Sequence, residues 1–251
     1  YSNMRFAQWF LDRMDGPWIK NRKRFLDKVD FMDANFLTTS PDVIDLPEKN
    51  KFFFVPNPSD ESIENLKNYK NKECTSDVFF ALSHGVHRGI LKKGKYDQRE
   101  KFINKLMEIT PNSKFDVYGI NNTQPIWADA FYRALSRCKM AINLSQGKPI
   151  KYYSSDRVTQ LIGNGLLTFI DEKTHYHDFF TDKKEVVFYR NINDLSEKIK
   201  QYTIDDKDRI NIAKKGKEKY MRYFNSTIVA EYIINKTFQN TAKNKFYLWE
   251  K

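Results

Sequence analysis

The stretch YYSSDRVTQLIGNGLLTFID, residues 152–171, decides how the fold of this chain is interpreted. Its polar residues 154–157 stand where a helix would begin, and residues 158–162 supply one apolar helix face. Residues 163–165, Gly-Asn-Gly, end that helix. The apolar run 166–170 then has the length and composition of a buried strand. A helix, a glycine break and a strand in this order predict one unit of an α/β domain.

The start of the predicted helix is a candidate phosphate site. The first turn of a helix has backbone N–H groups without helical partners and carries the positive end of the helix dipole. We therefore predict that a nucleotide binds there, at Ser154, Ser155, Asp156 and Arg157. A structural role for Arg157, in an ion pair with Asp156 or Asp171, explains the same residues equally well.

The net charge of +11, from 43 basic and 32 acidic residues among 251, favours an anionic partner. A nucleic acid, an acidic membrane surface and a phosphorylated small molecule all fit, and so does a merely solvated lysine-rich surface. The basic residues are scattered without a dense tract, which argues against a nucleic-acid partner.

Other composition features exclude several classes of protein. No apolar run approaches the roughly 20 residues that span a bilayer, and no signal-peptide pattern opens the chain. Cys74 and Cys138 lack the spacing of a disulfide scaffold or a zinc site. We therefore expect a cytoplasmic protein without a metal. The chain starts at Tyr1 rather than at a methionine, which suggests a fragment of a longer protein.

Strands and helices alternate along the larger part of the chain, from residue 77 to residue 203. This alternation predicts an α/β fold with a parallel, Rossmann-like sheet covered by helices on both faces. The predicted strands cover residues 77–82, 115–119, 140–144, 166–170 and 185–189. Ligands of such sheets bind beyond the carboxyl ends of the strands.

The first 76 residues have a less regular pattern. Phe6, Trp9 and Phe10 recur at helical spacing and predict a helix over residues 3–14. Strands are predicted at 34–39 and 51–55, and a solvent-facing charged helix at 61–72. Two prolines at positions 56 and 58 cannot continue a strand ladder, so we expect the chain to leave the sheet there.

A basic, glycine-containing loop follows the first strand of the long series. Its glycines would let the backbone approach a ligand, and its cations would neutralise a pyrophosphate. The candidates are His84 as a general base, Gly85 for close approach of the backbone, and Arg88, Lys93 and Lys95 as the cations that would neutralise a pyrophosphate. The loop matches neither common nucleotide fingerprint, and an ordinary basic surface loop is an equal alternative.

Three further candidates follow later strands at the same predicted edge of the sheet. They are Tyr118, Ser145 and Tyr153, whose hydroxyl groups suit recognition of a sugar or a base. Tyrosines in loops also serve as partly buried anchors. Their common position at carboxyl ends of strands favours the binding role.

This order of elements resembles the carboxyl-terminal half of GT-B glycosyltransferases, in particular the group-1-like and spore-maturation-protein-like branches. The family stretch E-A-x-x-x-G-x-P aligns its glycine with Gly165, its ribose-binding glutamate with Gln160 and its proline with Leu167. The resemblance covers roughly residues 77–224. Gln160 lacks the family's carboxylate, although its amide can still accept a hydrogen bond from a ribose hydroxyl.

The resemblance implies that the chain is divided into four parts. They are an incomplete acceptor-side α/β part at 1–58, a linker at 59–76, a donor-binding domain at 77–224 and a carboxyl-terminal helical part at 225–251 that returns to the amino-terminal part. Fewer than 80 residues precede the second half, which is short for a complete Rossmann-like domain.

The resemblance also implies the reaction, which is transfer of a sugar from a nucleotide diphosphate sugar to a hydroxyl group. The acceptor would be a glycan or a lipid-linked molecule in polysaccharide synthesis, with peripheral contact to the inner face of the membrane. Arg88 and Lys93 would offset the charge of the leaving diphosphate, so no metal or other cofactor and no nucleic acid is expected. The alternatives are a non-catalytic nucleotide- or nucleic-acid-binding module and an inactive fragment.

Overall fold

Eight strands form two parallel sheets in the computed structural model, which describes residues 3–82, 98–240 and 247–250. The small sheet has the order β1-β2-β3. Its strands are β1 (Ala7–Phe10), β2 (Ala34–Leu37) and β3 (Phe52–Phe54). Helix α1 (Ile19–Val29) connects β1 to β2 and buries Phe25 and Val29 against this sheet, because these side chains share one apolar face.

The large sheet has the order β5-β4-β6-β7-β8, and all its strands are parallel. The strands are β4 (Ser76–Ala81), β5 (Phe115–Tyr118), β6 (Cys138–Asn143), β7 (Leu167–Asp171) and β8 (Val187–Tyr189). The helices are α2 (Gln98–Ile109), α3 (Ala128–Ser136), α4 (Arg157–Gly163), α5 (Ile192–Ile204), α6 (Asp206–Tyr223) and α7 (Ser226–Thr237). The predicted α/β fold with a parallel sheet and helices on both faces is confirmed.

The central strands are buried on both faces, which is why they read as continuous apolar runs in the sequence. Four of the five residues of β7 are buried, as are five of the six residues of β6. Separate apolar clusters lie on the two faces of the sheet. The strand order reverses between β4 and β6, so a crevice opens beyond the carboxyl ends of these two strands.

The predicted helix over residues 3–14 is wrong, because this segment contains strand β1. Phe10 and Gln8 are half-buried and alternate with the exposed Ala7 and Trp9, which is the period of two residues typical of a strand. In the sequence, the aromatic residues of this short segment fit a helical spacing as well. Strand β1 pairs with β2 in parallel register, so its backbone hydrogen bonds are satisfied by a neighbour 27 residues away.

The predicted helix over residues 61–72 is also wrong. The segment forms turns and one 3-10 turn, Asn68–Lys70, because its polar groups bond to the large domain instead of to one another. The buried Asn68 side chain donates to the carbonyl oxygens of Leu135 and Cys138, at 2.7 and 3.0 Å. The backbone N–H of Leu66 donates to the Asn164 side chain at 3.1 Å. The remaining predicted strands and helices agree with the structure within a few residues.

The small and large sheets are joined by aromatic contacts and by α7. The Tyr232 ring of α7 lies 6.2 Å from Phe36 of β2 and 6.4 Å from Phe53 of β3. Phe54 contacts Tyr152, at 4.9 Å between ring centroids. The chain leaves the small sheet at residues 56–58, where the Asn57 side chain donates to the Ser154 carbonyl oxygen at 3.0 Å. The domain boundaries derived from the sequence stay predictions.

Candidate functional site

Two clefts flank the point where the strand order of the large sheet reverses. Cleft A has a volume of about 320 Å³ and lies between the start of α4 and the start of α3. Cleft B has a volume of about 210 Å³ and lies between the small sheet and the ends of β6 and β7.

Cleft A is formed by polar groups from α4 and by aromatic groups from α3. Residues that line it include Ser155, Asp156, Arg157, Gln160, Trp127 and Tyr132. The backbone N–H of Val158 donates to the Ser155 carbonyl oxygen at 3.2 Å, so the helical turn already begins at Ser155. Trp127 is 47% exposed, which leaves a broad aromatic surface for a ligand.

Arg157 connects the two strand ends that enclose the crevice. Its Nη1 donates to the Leu144 carbonyl oxygen after β6 at 2.9 Å, and its Nε donates to the Ala81 carbonyl oxygen of β4 at 3.3 Å. Its guanidinium carbon lies 5.6 Å from the centroid of the Phe80 ring. Leu144 lines cleft B, so this hydrogen bond connects a residue of cleft B to Arg157, which lines cleft A. Arg157 therefore holds positive charge at the strand ends.

Cleft B contains one carboxylate, one buried amide and several hydroxyl groups. Residues that line it include Arg13, Asn143, Ser145, Tyr153, Asp171 and Thr174. Asn143 and Asp171 follow directly from the sheet, as the last residues of β6 and β7. Desolvation by burial raises the pKa of the Asp171 carboxyl group.

Arg13, in the loop after β1, fastens the small sheet to the loop after β6. Its Nη1 donates to the carbonyl oxygens of Gln146 and Lys148, the latter at 2.8 Å. The guanidinium also pairs with Asp15 at 2.5 Å and stacks between the rings of Trp18 and Tyr153, at 4.8 and 5.3 Å. Arg13 is only 4% exposed, so its role is to join the small sheet to the loop after β6, and it forms one wall of cleft B.

The contact between Arg13 and the loop after β6 requires a glycine at position 147 for two reasons. Its φ of +78° lies in the left-handed region, where a side chain is strained. A Cβ atom there would also lie 2.9 Å from the Arg13 guanidinium and from the Trp18 ring. The close approach of the loop to Arg13 therefore depends on the missing side chain.

The structure places the predicted site residues in three groups. Ser155, Asp156, Arg157 and Gln160 line cleft A, and Ser145 and Tyr153 line cleft B. Ser154 is buried and donates to the Asn143 side chain at 3.1 Å. Tyr118 accepts a hydrogen bond from Arg137 at 2.9 Å and is not among the residues that line either cleft. His84, Gly85, Arg88, Lys93 and Lys95 lie outside the described residues.

Arg13, Asn143 and Trp127 are not among the site residues predicted from the sequence, and Asp171 enters the prediction only as a possible ion-pair partner of Arg157. Asn143 and Asp171 had a usable signal, because a polar residue that ends a buried apolar strand lies at the ligand edge of a parallel sheet. Arg13 carries no such signal, since the carbonyl oxygens of Gln146 and Lys148, to which it donates, lie 133 and 135 residues away along the chain.

Other features of the described residues limit the chemistry of the site. The segments 3–82, 98–240 and 247–250 contain no group of three or more histidine, cysteine, aspartate or glutamate side chains that could hold a metal ion. None of the helices in the same segments is long and apolar enough to cross a bilayer. Burial raises the pKa of the Cys138 thiol, which keeps it protonated and unreactive.

The family model described as "Glycosyl transferase-like" matches residues 98–235, more than half of the chain. The chain belongs to this family. The matched range contains the walls of both clefts except those from β4 and the small sheet. The predicted membership of the GT-B glycosyltransferases is confirmed by this match together with the fold. No curated protein sequence matches significantly.

Solved structures of glycosyltransferases share the fold. TarM is 14% identical, with a TM-score of 0.64 over 90% of this chain and 48% of its own. Sucrose-phosphate synthase from Thermosynechococcus elongatus is 8% identical, with a TM-score of 0.63 over 92% of this chain and 64% of its own. The chain therefore spans about half to two thirds of the length of these proteins.

Proposed function

We propose that this chain binds a nucleotide diphosphate sugar at the β4–β6 crevice and takes part in transfer of the sugar to a hydroxyl acceptor. The observation that carries the proposal is the meeting of the α4 start, Gln160 and the exposed Trp127 in cleft A, in a chain of glycosyltransferase family. The nucleoside lies in cleft A, where Trp127 or Tyr132 offers a flat surface to the base. The side-chain carbonyl of Gln160 accepts a hydrogen bond from a ribose hydroxyl.

The diphosphate lies at the α4 start, next to Arg157. Backbone N–H groups of the first turn and the guanidinium provide positive potential in a partly dry cleft, where charges interact more strongly than in water. During transfer, the bond between the sugar carbon and the diphosphate oxygen breaks, and its electron pair stays on the diphosphate. The acceptor oxygen bonds to the sugar carbon, and the acceptor's hydroxyl proton passes to a base. Positive groups fixed beside that oxygen stabilise the developing charge. The predicted cations Arg88 and Lys93 would add to this effect without a metal.

The acceptor and the biosynthetic role are inferred from the family resemblance and from a solved structure with the same fold. One structure of TarM from S. aureus, 15% identical with a TM-score of 0.62, holds UDP, fondaparinux and alpha-GlcNAc-glycerol. A glycan or lipid-linked acceptor and a role in surface polysaccharide synthesis are proposed here on that basis. The net charge of +11 is compatible with contact to an anionic membrane surface.

The test is calorimetric titration of the protein with UDP, GDP and ADP, repeated with Arg157→Ala. We expect one of the diphosphates to bind and the variant to bind it about tenfold or more weakly, since hydrogen bonds from charged groups contribute roughly 1.5–3 kcal/mol. Arg137→Ala is the matched control, because Arg137 directly precedes β6 and lies at the opposite, amino-terminal edge of the sheet. Its affinity for the diphosphate should equal that of the unchanged protein.

Two results would contradict the proposal. Failure of all three diphosphates to bind would remove the nucleotide site, and equal loss of affinity in both variants would mean that only net charge matters. Binding of a diphosphate together with no turnover of the corresponding nucleotide sugar over a panel of glycan acceptors would favour the alternative, a non-catalytic nucleotide-binding module.

A further inference from the structure

Helix α4 carries Gln160 at the start of its last turn, and the carbonyl groups of that turn need partners. The helix has only seven residues, and a helix of this length is marginal in isolation, so surrounding groups must hold it in place. The last four carbonyl oxygens of a helix, here those of residues 160–163, have no partners within the helix. Because buried carbonyl groups without partners are costly, the groups that bond to them determine where the last turn lies.

Two of these four carbonyl oxygens accept hydrogen bonds from the backbone just beyond the helix. They are those of Leu161, from Leu166 at 3.2 Å, and of Ile162, from Gly165 at 2.9 Å. The other two accept from side chains, since Nδ2 of the buried Asn164 donates to the Gln160 carbonyl oxygen at 2.8 Å. Nζ of Lys217, on α6, donates to the Gly163 carbonyl oxygen. The last turn therefore depends on two side chains that can be substituted.

Lys217 places a positive charge at the carboxyl-terminal end of α4. It is only 8% exposed, and burial lowers the pKa of its ammonium group. Nζ also donates to the Glu64 carbonyl oxygen at 2.7 Å, and Lys217 forms no salt bridge within the described segments. The Gly163 carbonyl oxygen lies at the negative end of the helix dipole, where an ammonium group is stabilised. These backbone acceptors therefore hold the charge in place of a carboxylate.

The connecting segment (residues 57–68), which lies between β3 and β4, is bonded to α4 near both ends of the helix. In the first turn, the Thr159 hydroxyl donates to the Pro58 carbonyl oxygen at 3.0 Å. Beyond the last turn, the backbone N–H of Asn68 donates to the Asn164 carbonyl oxygen at 3.1 Å. A shift of the segment therefore displaces the helix unless these bonds break.

Lys217 also ties the connecting segment to the end of the helix directly. It bonds to the carbonyl oxygens of both Glu64 and Gly163. The segment packs closely there, since a Cβ atom at position 163 would lie 2.7 Å from Cγ of the buried Glu64. One ammonium group thus fixes the spacing between the segment and the last turn, which contains Gln160.

We propose that Asn164 and Lys217 are positioning residues for nucleotide binding, because they fix the last turn of α4 and with it the Gln160 side chain. Neither residue lines cleft A, so neither bonds to the nucleotide itself. Asn164 acts through the Gln160 carbonyl oxygen, and Lys217 acts through Gly163. This inference rests on the proposed function, in which the Gln160 side chain accepts a hydrogen bond from a ribose hydroxyl.

A positioning role and a purely structural role predict different results. In a purely structural role, substitution lowers the free energy of unfolding, but each molecule that stays folded binds the nucleotide as before. In a positioning role, the folded protein itself binds more weakly, and only to a ligand that bonds to Gln160. The 2′,3′-dideoxy form of the diphosphate lacks the ribose hydroxyls and therefore distinguishes the two roles.

The experiment is calorimetric titration of Lys217→Met and Asn164→Ala with the preferred diphosphate among UDP, GDP and ADP and with its dideoxy form. We expect each variant to bind the diphosphate about threefold more weakly, near the lower end of the range for one hydrogen bond, because Gln160 is displaced and not removed. The affinity for the dideoxy form should be unchanged. Urea titration gives the free energy of unfolding separately. Lys217→Gln, which keeps one donor, takes the place of Lys217→Met if the latter does not fold.

A double-mutant cycle with Gln160→Ala tests whether the effect passes through Gln160. In that background, Lys217→Met should cause no further loss of affinity. The matched control is Lys198→Met, because Lys198 also donates to a backbone carbonyl oxygen, that of Phe188 at 2.6 Å, and lies outside both clefts. We expect Lys198→Met to lose stability and to keep its affinity for the diphosphate.

The inference is overturned if Lys217→Met and Asn164→Ala bind the diphosphate as tightly as the unchanged protein, or if they lose as much affinity for its dideoxy form. A further loss in the Gln160→Ala background would overturn it as well, and so would an equal loss in Lys198→Met. Failure of the proposed function gives a different result. In that case the unchanged protein binds none of the three diphosphates, and the inference falls with it.

Discussion

The two clefts are connected by the hydrogen bond from Arg157 to Leu144 but depend on different parts of the chain. Cleft A is built by α3, α4 and the end of β4, which all belong to the large sheet. Cleft B needs the small sheet as well, because Arg13, which follows β1, donates a hydrogen bond to the loop around Gly147 that follows β6. Cleft A therefore depends on the large sheet and its helices alone, whereas cleft B depends on the junction between the two sheets.

The two clefts are therefore held in shape by different interactions. The strand ends that form cleft A are fixed by buried ladders, such as β4 with β6. The wall of cleft B is fixed by one buried guanidinium and its acceptors. We expect changes at the junction to affect the shape of cleft B first and nucleotide binding in cleft A last.

The largest expected effect is that of Arg13→Ala. It leaves the carbonyl oxygens of Gln146 and Lys148 without their donor and removes the stacking with Trp18 and Tyr153. We expect the free energy of unfolding to fall by about 2–4 kcal/mol, from an unsatisfied buried acceptor and a lost cation–π contact. Urea titration measures this change, and diphosphate affinity measured below the transition should stay within about twofold of the original.

Arg5→Ala is the control for this prediction, because Arg5 also pairs with an aspartate in the small sheet region but at an exposed site. Its free energy of unfolding should be nearly unchanged. A loss of diphosphate affinity in Arg13→Ala well beyond about twofold would contradict the separation of the two clefts.

An intermediate effect is expected at Gln160, inside cleft A. Gln160→Glu restores the carboxylate of the family stretch and should strengthen diphosphate binding about fivefold, because a charged acceptor bonds a ribose hydroxyl more strongly than an amide does. Gln160→Ala should weaken binding by a similar factor. The measurement is calorimetric titration with the preferred nucleoside diphosphate.

The control for Gln160 is the 2′,3′-dideoxy form of the same diphosphate, which lacks the ribose hydroxyls. Neither substitution should change its affinity in the direction expected for the parent compound. Equal effects on both compounds would show that residue 160 acts on the phosphates and not on the ribose.

The smallest expected effect concerns the pH dependence of stability at Asp171. The pKa of this carboxyl is raised in the folded state, so the folded protein binds the proton more tightly than the unfolded chain. Stability therefore falls as pH rises from the ordinary value of 3.8 through the raised value. Asp171→Asn should melt at a slightly higher temperature than the original protein at pH 7, and the difference should shrink below pH 4.

Thermal melts of both proteins at pH 3.5 and pH 7 check this sign. A lower melting temperature for Asp171→Asn at pH 7 would mean that the Lys173 backbone hydrogen bond outweighs the burial cost. The Asp171 carboxylate would then stabilise the folded protein at pH 7.

Much of the large sheet could be predicted from the sequence because its strands are short, apolar and separated by helical patterns. The predicted strand over residues 166–170 and the observed strand β7 (Leu167–Asp171) are offset by one residue. The same stretch placed Ser155–Arg157 and Gln160 at the strand edge, where cleft A lies. Local pattern suffices there, because strands buried on both faces and the helices between them each carry their own periodicity.

The small sheet and cleft B could not be predicted in this way. Residues 3–14 carry a helical spacing of aromatic side chains, and only pairing with β2 makes Ala7–Phe10 a strand. Residues 61–72 have the composition of a helix, and only bonds such as that from Asn68 to Leu135 keep them irregular. In both segments, tertiary hydrogen bonds outweigh local propensity, which differs among residues by less than about 1 kcal/mol.

The sequence by itself determined the α/β class, the edge of the sheet at which ligands bind and the polar residues that follow its strands. Tertiary structure decided which of those residues meet. It brought Arg13 to a loop 130 residues away, buried Ser154 behind Asn143 and turned Tyr118 towards Arg137. The physical reason is that periodicity records the direction of a side chain within its own element, whereas a cleft depends on distances between elements far apart in the chain.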